Sequence, residues 1–208
     1  MTGNISHDAG IAVDYHVARL ARSADRAWAG YRWHIRVRRV AVISSLVLGV
    51  DGASTLHGNS DSITTPIDRQ RFLARRRECD AILIGGNTAR NERYQRTPVP
   101  LVILSHSRPA ILDQNSKAHW WSLSPTEAVA RAQWEFGNTL LIEGGIAFVS
   151  ELLKANLLTQ LELSITSHTG GDDKVDYLDL LAHFEKIETH EVEGTIFHTC
   201  TFPITIQK

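Results

Sequence analysis

The sequence predicts an α/β fold, a mixed and mostly parallel β-sheet flanked by helices. Three observations carry this. Short apolar, β-branched runs alternate with helical stretches from residue 37 onward. Two of those runs end in paired glycines that open a helix. The C-terminal end of the chain is rich in strand patterns. At 208 residues the chain is long enough for one well-buried core and below the size at which chains tend to divide. It reads as an N-terminal extension, residues 1–36, and a main domain, residues 37–208.

In the extension, residues 13–28 place Val13, Val17, Leu20, Ala24 and Trp28 on one helical face, and Gly30 is a stop. The main domain opens with an apolar strand over 40–48, followed by the turn Gly49-Val50-Asp51-Gly52 and a polar loop over 54–65. Pro66 suits a first helical turn, with Asp68 at its positive end, and the helix runs to about residue 78. A buried strand over 81–84 ends in Gly85-Gly86-Asn87-Thr88 and a short polar helix. A third strand, 101–104, is closed by Ser105-His106-Ser107-Arg108-Pro109. Ser124-Pro125-Thr126-Glu127 begins a helix that reaches about residue 136, where Gly137 stops it. The strand 139–142 runs into Glu143-Gly144-Gly145 and a helix to about residue 155. Residues 160–166 alternate as a strand does, and 170–173 read as a turn. A short helix near 177–183 precedes two last strands near 187–192 and 195–206.

Composition narrows the function. The 22 basic and 23 acidic side chains leave a net charge of −1, so no overall field favours nucleic acid or an anionic membrane. No segment is long and apolar enough to span a bilayer, and the N-terminus lacks a basic stretch leading into an apolar one. Cys79 and Cys200 stand far apart in apolar surroundings, which suits a reducing, cytoplasmic setting. Neither G-x-G-x-x-G, nor the P-loop, nor a G-x-S-x-G turn occurs. His183-Phe184-Glu185 lacks the downstream P-C-x-x-C of a zinc deaminase, and the ten histidines are scattered, so no metal site is expected.

The chemistry that remains concentrates at two strand-to-helix turns. Ligands of open α/β sheets bind beyond the carboxyl ends of the strands. Gly85-Gly86 and Gly144-Gly145 would let backbone approach a diphosphate closely, and a helix that follows offers it free N–H groups. Each pair can equally be a tight turn chosen for chain geometry. Arg69, Arg71, Arg75, Arg76 and Arg77 share one helix and spread around it, which reads as a solvated face. One of them turned toward the strand ends would suit an anionic substrate.

The ordered set Val50-Asp51-Gly52-Ala53, Ile63-Thr64-Thr65-Pro66 with Asp68-Arg69, Asp80 to Thr88, Leu141 to Gly145, and Leu161-Glu162-Leu163 leading to Gly170-Gly171 resembles one known family. It is the reductase domain of the riboflavin-biosynthesis family, met as the C-terminal half of bacterial bifunctional deaminase–reductases. The likeness covers residues 37–203. It implies a dihydrofolate-reductase-like fold, a homodimer, and NADPH bound across the strand ends. It implies as activity the reduction of a small molecule, a ribosylaminopyrimidine phosphate, to its ribityl form by hydride transfer.

Carried over position by position, the resemblance makes Gly85, Gly86, Thr88, Glu92, Ser105, Gly144, Gly145 and Ile146 cofactor contacts. Ser107 and Arg108 are further donors for the cofactor's 2′-phosphate. Ser60, Arg76 and Glu143 fall near the substrate. Glu143 and Asp51 are the candidate catalytic residues, with helix capping and turn formation as their alternatives. The chain departs from the family after Thr88. Asn91-Glu92-Arg93-Tyr94-Gln95-Arg96 replaces the usual D-D-P-x-L-T-x-R, leaving Arg93 or Arg96 as the substitute phosphate ligand. Ala53 stands where a lysine or arginine often follows Asp-Gly, and Leu158-Thr159-Gln160 replaces a commonly acidic residue. A reductase of another heterocycle such as dihydrofolate, or a non-catalytic nucleotide-binding dimer, are the alternative readings.

Overall fold

In the computed structural model, the structure describes residues 40–205. The helix expected over 13–28 therefore lies outside the described residues. Eight strands form one sheet: β1 (Ala41–Gly49), β3 (Ala81–Gly85), β4 (Leu101–Leu104), β5 (Ala118–Trp121), β6 (Thr139–Ile142), β7 (Gln160–Thr166), β9 (Phe184–Val192) and β10 (Thr195–Pro203). Their order is β5-β4-β3-β6-β1-β7-β10-β9. Every pair from β5 to β7 is parallel, and β10 joins β7 and β9 antiparallel. A separate antiparallel ribbon pairs β2 (Ala53–Thr55) with β8 (Asp172–Lys174). The expected mixed, mostly parallel sheet is the one observed.

Alternation along the central strands fills two cores. Leu83, Val102, Leu140 and Ile142 face one side, where they meet α3 (Pro125–Glu135), α4 (Ile146–Lys154) and α5 (Tyr177–Leu181). Ile82, Ile84, Leu101, Ile103 and Leu141 face the other, with Ala89 of α2 (Gly86–Asn91). Local chemistry sets the helix starts. Ser124 and Glu127 form a reciprocal capping box at α3. Thr65 accepts from Asp68 N at the start of α1 (Pro66–Glu78), whose first residue is the proline.

Helix α1 corrects the reading of its arginines as a solvated face. It lies on the polar side of the sheet, where Glu162, Ser164, Phe197 and Thr199 share a face by register. Arg71 stacks over the Phe197 ring at 4.1 Å, Arg75 pairs with Glu162, and Arg76 is buried. Only Arg69 and Arg77 of the five stay exposed.

Three strands depart from the sequence reading. The turn expected over 170–173 runs into β8, the loop over 54–65 begins with β2, and β5 was not expected at all. Each is three or four residues long and partly or wholly exposed, so none carries a hydrophobic period; pairing with a neighbour makes each a strand.

The topology also makes a crevice. β3 and β6 are neighbours, with Leu83 opposite Ile142. The chain leaves β3 into α2 on one face and leaves β6 into α4 on the other. Diverging connections at adjacent carboxyl ends are where an open sheet takes its ligands.

Candidate active site

A cavity of about 740 Å³ opens at that crevice. It reaches from Ser45–Leu48 on β1, past the turns after β6 and β3, to Leu104 at the end of β4 and Ser105 and His106 beyond it. Its size is that of a small-molecule or cofactor site. The loop between β2 and α1 contributes Gly58, Ser60, Asp61 and Thr64 to the lining. Ser60 N donates to Glu92 Oε1 at 2.7 Å, tying that loop to the end of α2.

The structure brings Gly85, Gly86, Thr88, Glu92, Ser105, Gly144, Gly145, Ile146, Ser60, Arg76 and Glu143 into this single lining. The glycines within it differ. A Cβ on Gly144 would meet the Phe148 side chain at 2.4 Å, so that glycine is dictated by packing. Gly85 and Gly145 have no atom within 4 Å of an added Cβ, so a side chain at either would project into free space beside their bare backbone. Gly145 is also the N-cap of α4 and supplies no side-chain cap, leaving the first N–H groups of that helix free. This chemistry fits a diphosphate group.

The inner part of the lining holds a buried polar triad. Arg76 Nε donates to Glu143 Oε1 at 2.8 Å and Arg76 Nη2 to Glu143 Oε2 at 2.6 Å. Tyr94 Oη donates to the same Oε2 at 2.7 Å. The guanidinium also lies over the Phe72 and Tyr94 rings, at 4.3 and 4.8 Å. Burial opposes the charge on Arg76, but the hydrogen bond and attraction from Glu143 outweigh it and raise its pKa. Burial, then the Glu143 charge, pushes the Tyr94 phenol well above its ordinary value, so it stays a donor. Tyr94 carried no sequence signal: it lies in the stretch that departs from the family, and only the path of the chain after α2 brings it to Glu143.

Three expected residues are placed elsewhere. Asp51 lies outside the cavity lining. Its carboxylate accepts from Gly170 N at 2.7 Å, from Ala53 N at 3.2 Å and from Lys174. The Lys174 hydrogen bond, with those backbone donors, pulls its pKa down to about 2. Turn formation is the role this geometry supports. Arg108 is held by Asp113 through bonds of 3.1 and 2.7 Å and, like Ser107, lies off the lining. Of the two substitutes for the missing arginine, Arg93 lines the cavity and Arg96 does not.

Among the described residues no three His, Cys, Asp or Glu side chains cluster as metal ligands. None of the described helices is long and apolar enough to cross a membrane.

Fold and site together define an α/β protein with its ligand cavity across the carboxyl ends of a parallel sheet. The family model described as the RibD C-terminal domain matches residues 40–193, and the chain belongs to that family.

The structure is similar to that of a diaminohydroxyphosphoribosylaminopyrimidine deaminase/5-amino-6-(5-phosphoribosylamino)uracil reductase from Thermotoga maritima. The TM-score is 0.61 at 16% identity, over 79% of this chain. The chain spans only 57% of that protein's length. A pyrimidine reductase-like protein from Corynebacterium diphtheriae matches with TM-score 0.56 and 16% identity, over 78% of this chain and 91% of that one. Dihydrofolate reductase from Enterococcus faecalis, in complex with NADP(H), matches with TM-score 0.55 and 15% identity, over 77% of this chain and 95% of that one. These likenesses bear out the dihydrofolate-reductase-like fold. No curated protein matches the chain.

Proposed function

We propose that the chain is an NADPH-dependent reductase that delivers a hydride to a ribosylaminopyrimidine phosphate. One observation carries the reading. Two diglycine turns at adjacent strand ends, each supplying a glycine N-cap with no side-chain cap to the helix that follows, border the same cavity as a buried Arg–Glu–Tyr triad.

A bound nicotinamide would supply the hydride, and the protein's task is then to orient two rings and exclude water. Gly85, Gly145 and the free N–H groups of α4 would hold the diphosphate. Thr88 and Ile146 line the same wall. At the inner end, Glu143 Oε2 accepts two hydrogen bonds and Oε1 accepts one from the protein. A carboxylate has about four acceptor sites, which leaves one on Oε1 for an N–H of the substrate ring. Arg76 and Tyr94 fix the orientation of that acceptor. Arg93 offers the substrate phosphate a guanidinium in the stretch where the family's own arginine is missing.

The experiment is a parallel assay of NADPH oxidation with the ribosylaminopyrimidine phosphate and with dihydrofolate. Turnover of the first alone supports the reading. Turnover of dihydrofolate alone favours the second reading, a reductase of another heterocycle, which the altered stretch after Thr88 permits. NADPH binding without turnover of either points to a non-catalytic nucleotide-binding dimer. The homodimer and the cytoplasmic setting that the resemblance and composition suggest are part of the proposal, and sedimentation at varied concentration tests the former.

A further inference from the structure

Helix α1 carries two neighbouring arginines that reach to opposite sides of one strand. Successive residues on an α-helix point about 100° apart. Arg76 turns toward Glu143, which follows β6. Arg75 turns the other way, to Glu162 on β7 and Ser45 on β1. In the sheet β1 lies between β6 and β7, and Ser45 stands opposite Glu162 in the register. Two ion pairs therefore hold the helix across β1, one on each side.

The Arg75 side is itself a network over four elements. Glu162 Oε2 accepts from Arg75 Nη2, and Oε1 accepts from Gln160 Nε2 at 2.6 Å. Thr199 Oγ1, on β10, lies 3.2 Å from both carboxylate oxygens. Arg75 Nη1 donates to Ser45 Oγ at 3.4 Å. The side chains of Arg75 and Glu162 are 16% and 8% exposed, so water offers either charge little substitute for its partner. Neither lines the large cavity at the carboxyl ends of the strands. Both line a separate one of about 130 Å³ with Ile43, Thr139 and Gln160, near the amino ends of β1, β6 and β7. Of the side chains bonded to the pair, only Ser45 reaches the large cavity.

We infer that Arg75 and Glu162 are positioning residues for the site: they set the roll of α1 about its axis, so that Arg76 meets both oxygens of Glu143 and holds that carboxylate toward the substrate. The inference rests on the role given to Glu143 above. Pairing of two guanidinium nitrogens with two carboxylate oxygens tolerates little rotation, because both N–H bonds must stay aligned with their acceptors. Without its second anchor α1 can roll, and a displacement of about 1 Å in a positioning group can lower a rate about 100-fold. Glu162 lies off the large cavity, so its contribution to turnover passes through Arg75 and the elements it ties together.

The test is the double variant Arg75→Met with Glu162→Gln. It leaves neither charge buried alone, and the glutamine amide still offers an oxygen to Gln160 and Thr199, so the unfolding midpoint should stay near that of wild type. Exchange of the Arg76 Nε–H with solvent, followed by NMR, should become about 10-fold faster, as for a local opening. In NADPH oxidation with the ribosylaminopyrimidine phosphate, kcat should fall about 10- to 100-fold while the KM for NADPH stays within about twofold. Glu162→Asp keeps the charge but draws the carboxylate back by one methylene. It should move both readouts in the same direction by less, and it decides the matter if the double variant does not fold. Exchange and kcat both at wild-type values would overturn the inference. Lost turnover with exchange unmoved overturns it too, and faster exchange at unchanged kcat would reduce the pair to a support of the fold alone. If wild type reduces neither candidate substrate, the reading of Glu143 falls, and the exchange rate by itself upholds or overturns the hold on Arg76.

Discussion

Arg76 and Glu143 lie 67 residues apart in the chain and meet through two hydrogen bonds, one from each of two guanidinium nitrogens to each carboxylate oxygen. Their side chains are 9% and 2% exposed, so neither charge has water to replace its partner. Arg76→Met alone should destabilise the fold by about 3–5 kcal/mol, because it leaves a buried carboxylate with only Tyr94. Replacing all three groups, as Arg76→Met, Glu143→Leu and Tyr94→Phe, should recover most of that loss. Urea unfolding of the single and triple variants measures the difference; equal midpoints would show that the pairing carries no such penalty.

Glu143→Gln is expected to do more than remove an acceptor for substrate. In either orientation it turns one oxygen into an amide nitrogen facing a guanidinium donor, so stability and turnover should fall together. Tyr94→Phe is the cleaner probe. It should cost about 1.5–3 kcal/mol for a lost hydrogen bond to a charged group while leaving the Arg76 pair intact. Thermal unfolding and steady-state kinetics on the two variants separate these effects.

The paired glycines after β6 should fail in different ways. Gly144→Ala drives a methyl into Phe148 and should lower stability by about 1–3 kcal/mol. Gly145→Asp has room and should leave the unfolding midpoint nearly unchanged, yet weaken NADPH binding by placing a negative charge beside the diphosphate. Unaltered NADPH affinity in a fluorescence titration would remove this turn from the site.

Asp51 gives a pH prediction. Its folded-state pKa is pulled from 3.8 to about 2, chiefly by the Lys174 hydrogen bond. A lowered carboxyl pKa contributes stability that is fully present above the unfolded-state value and is lost as pH falls through the folded-state value. The clasp on the Gly170 turn should therefore loosen between pH 3.8 and about 2. In Lys174→Met the carboxyl midpoint, followed by NMR, should move up toward 3.8. A midpoint unmoved by that substitution would deny Lys174 its part.

Burial pushes the thiols of Cys79 and Cys200 up to about 12, so little thiolate exists at neutral pH. Neither should react with a thiol reagent at pH 8 until the protein unfolds. Rapid labelling of the native protein, located by mass spectrometry, would contradict this.

Much of the fold is legible in the sequence where an apolar run is bounded by turn formers. Residues 101–104, 139–142 and 160–166 coincide with β4, β6 and β7, and the helix expected from Pro66 to about residue 78 begins at that proline and ends at Glu78. β2, β5 and β8 are invisible for the converse reason: Asp172-Asp173-Lys174 is wholly exposed and becomes a strand only by pairing with Ala53–Thr55. In the site, glycine pairs and Glu143 announce themselves because backbone approach and helix starts leave a local signature. Tyr94 and the Arg108–Asp113 pair do not. Their roles depend on which side chains meet after the chain has turned, and no local period records that.

Among the described residues, β5 and β9 are the outermost strands of the sheet, and they bear on how it can associate. β5 is four residues long, and β9 carries Glu185, Lys186, Glu188, His190 and Glu191 with every residue after Phe184 exposed. A foreign chain adding itself along either margin would find a short ladder on one side and crowded charges on the other. The sheet thus resists runaway fibre-like growth from its ends, and any stable assembly of copies is better served by its helices and broad surfaces.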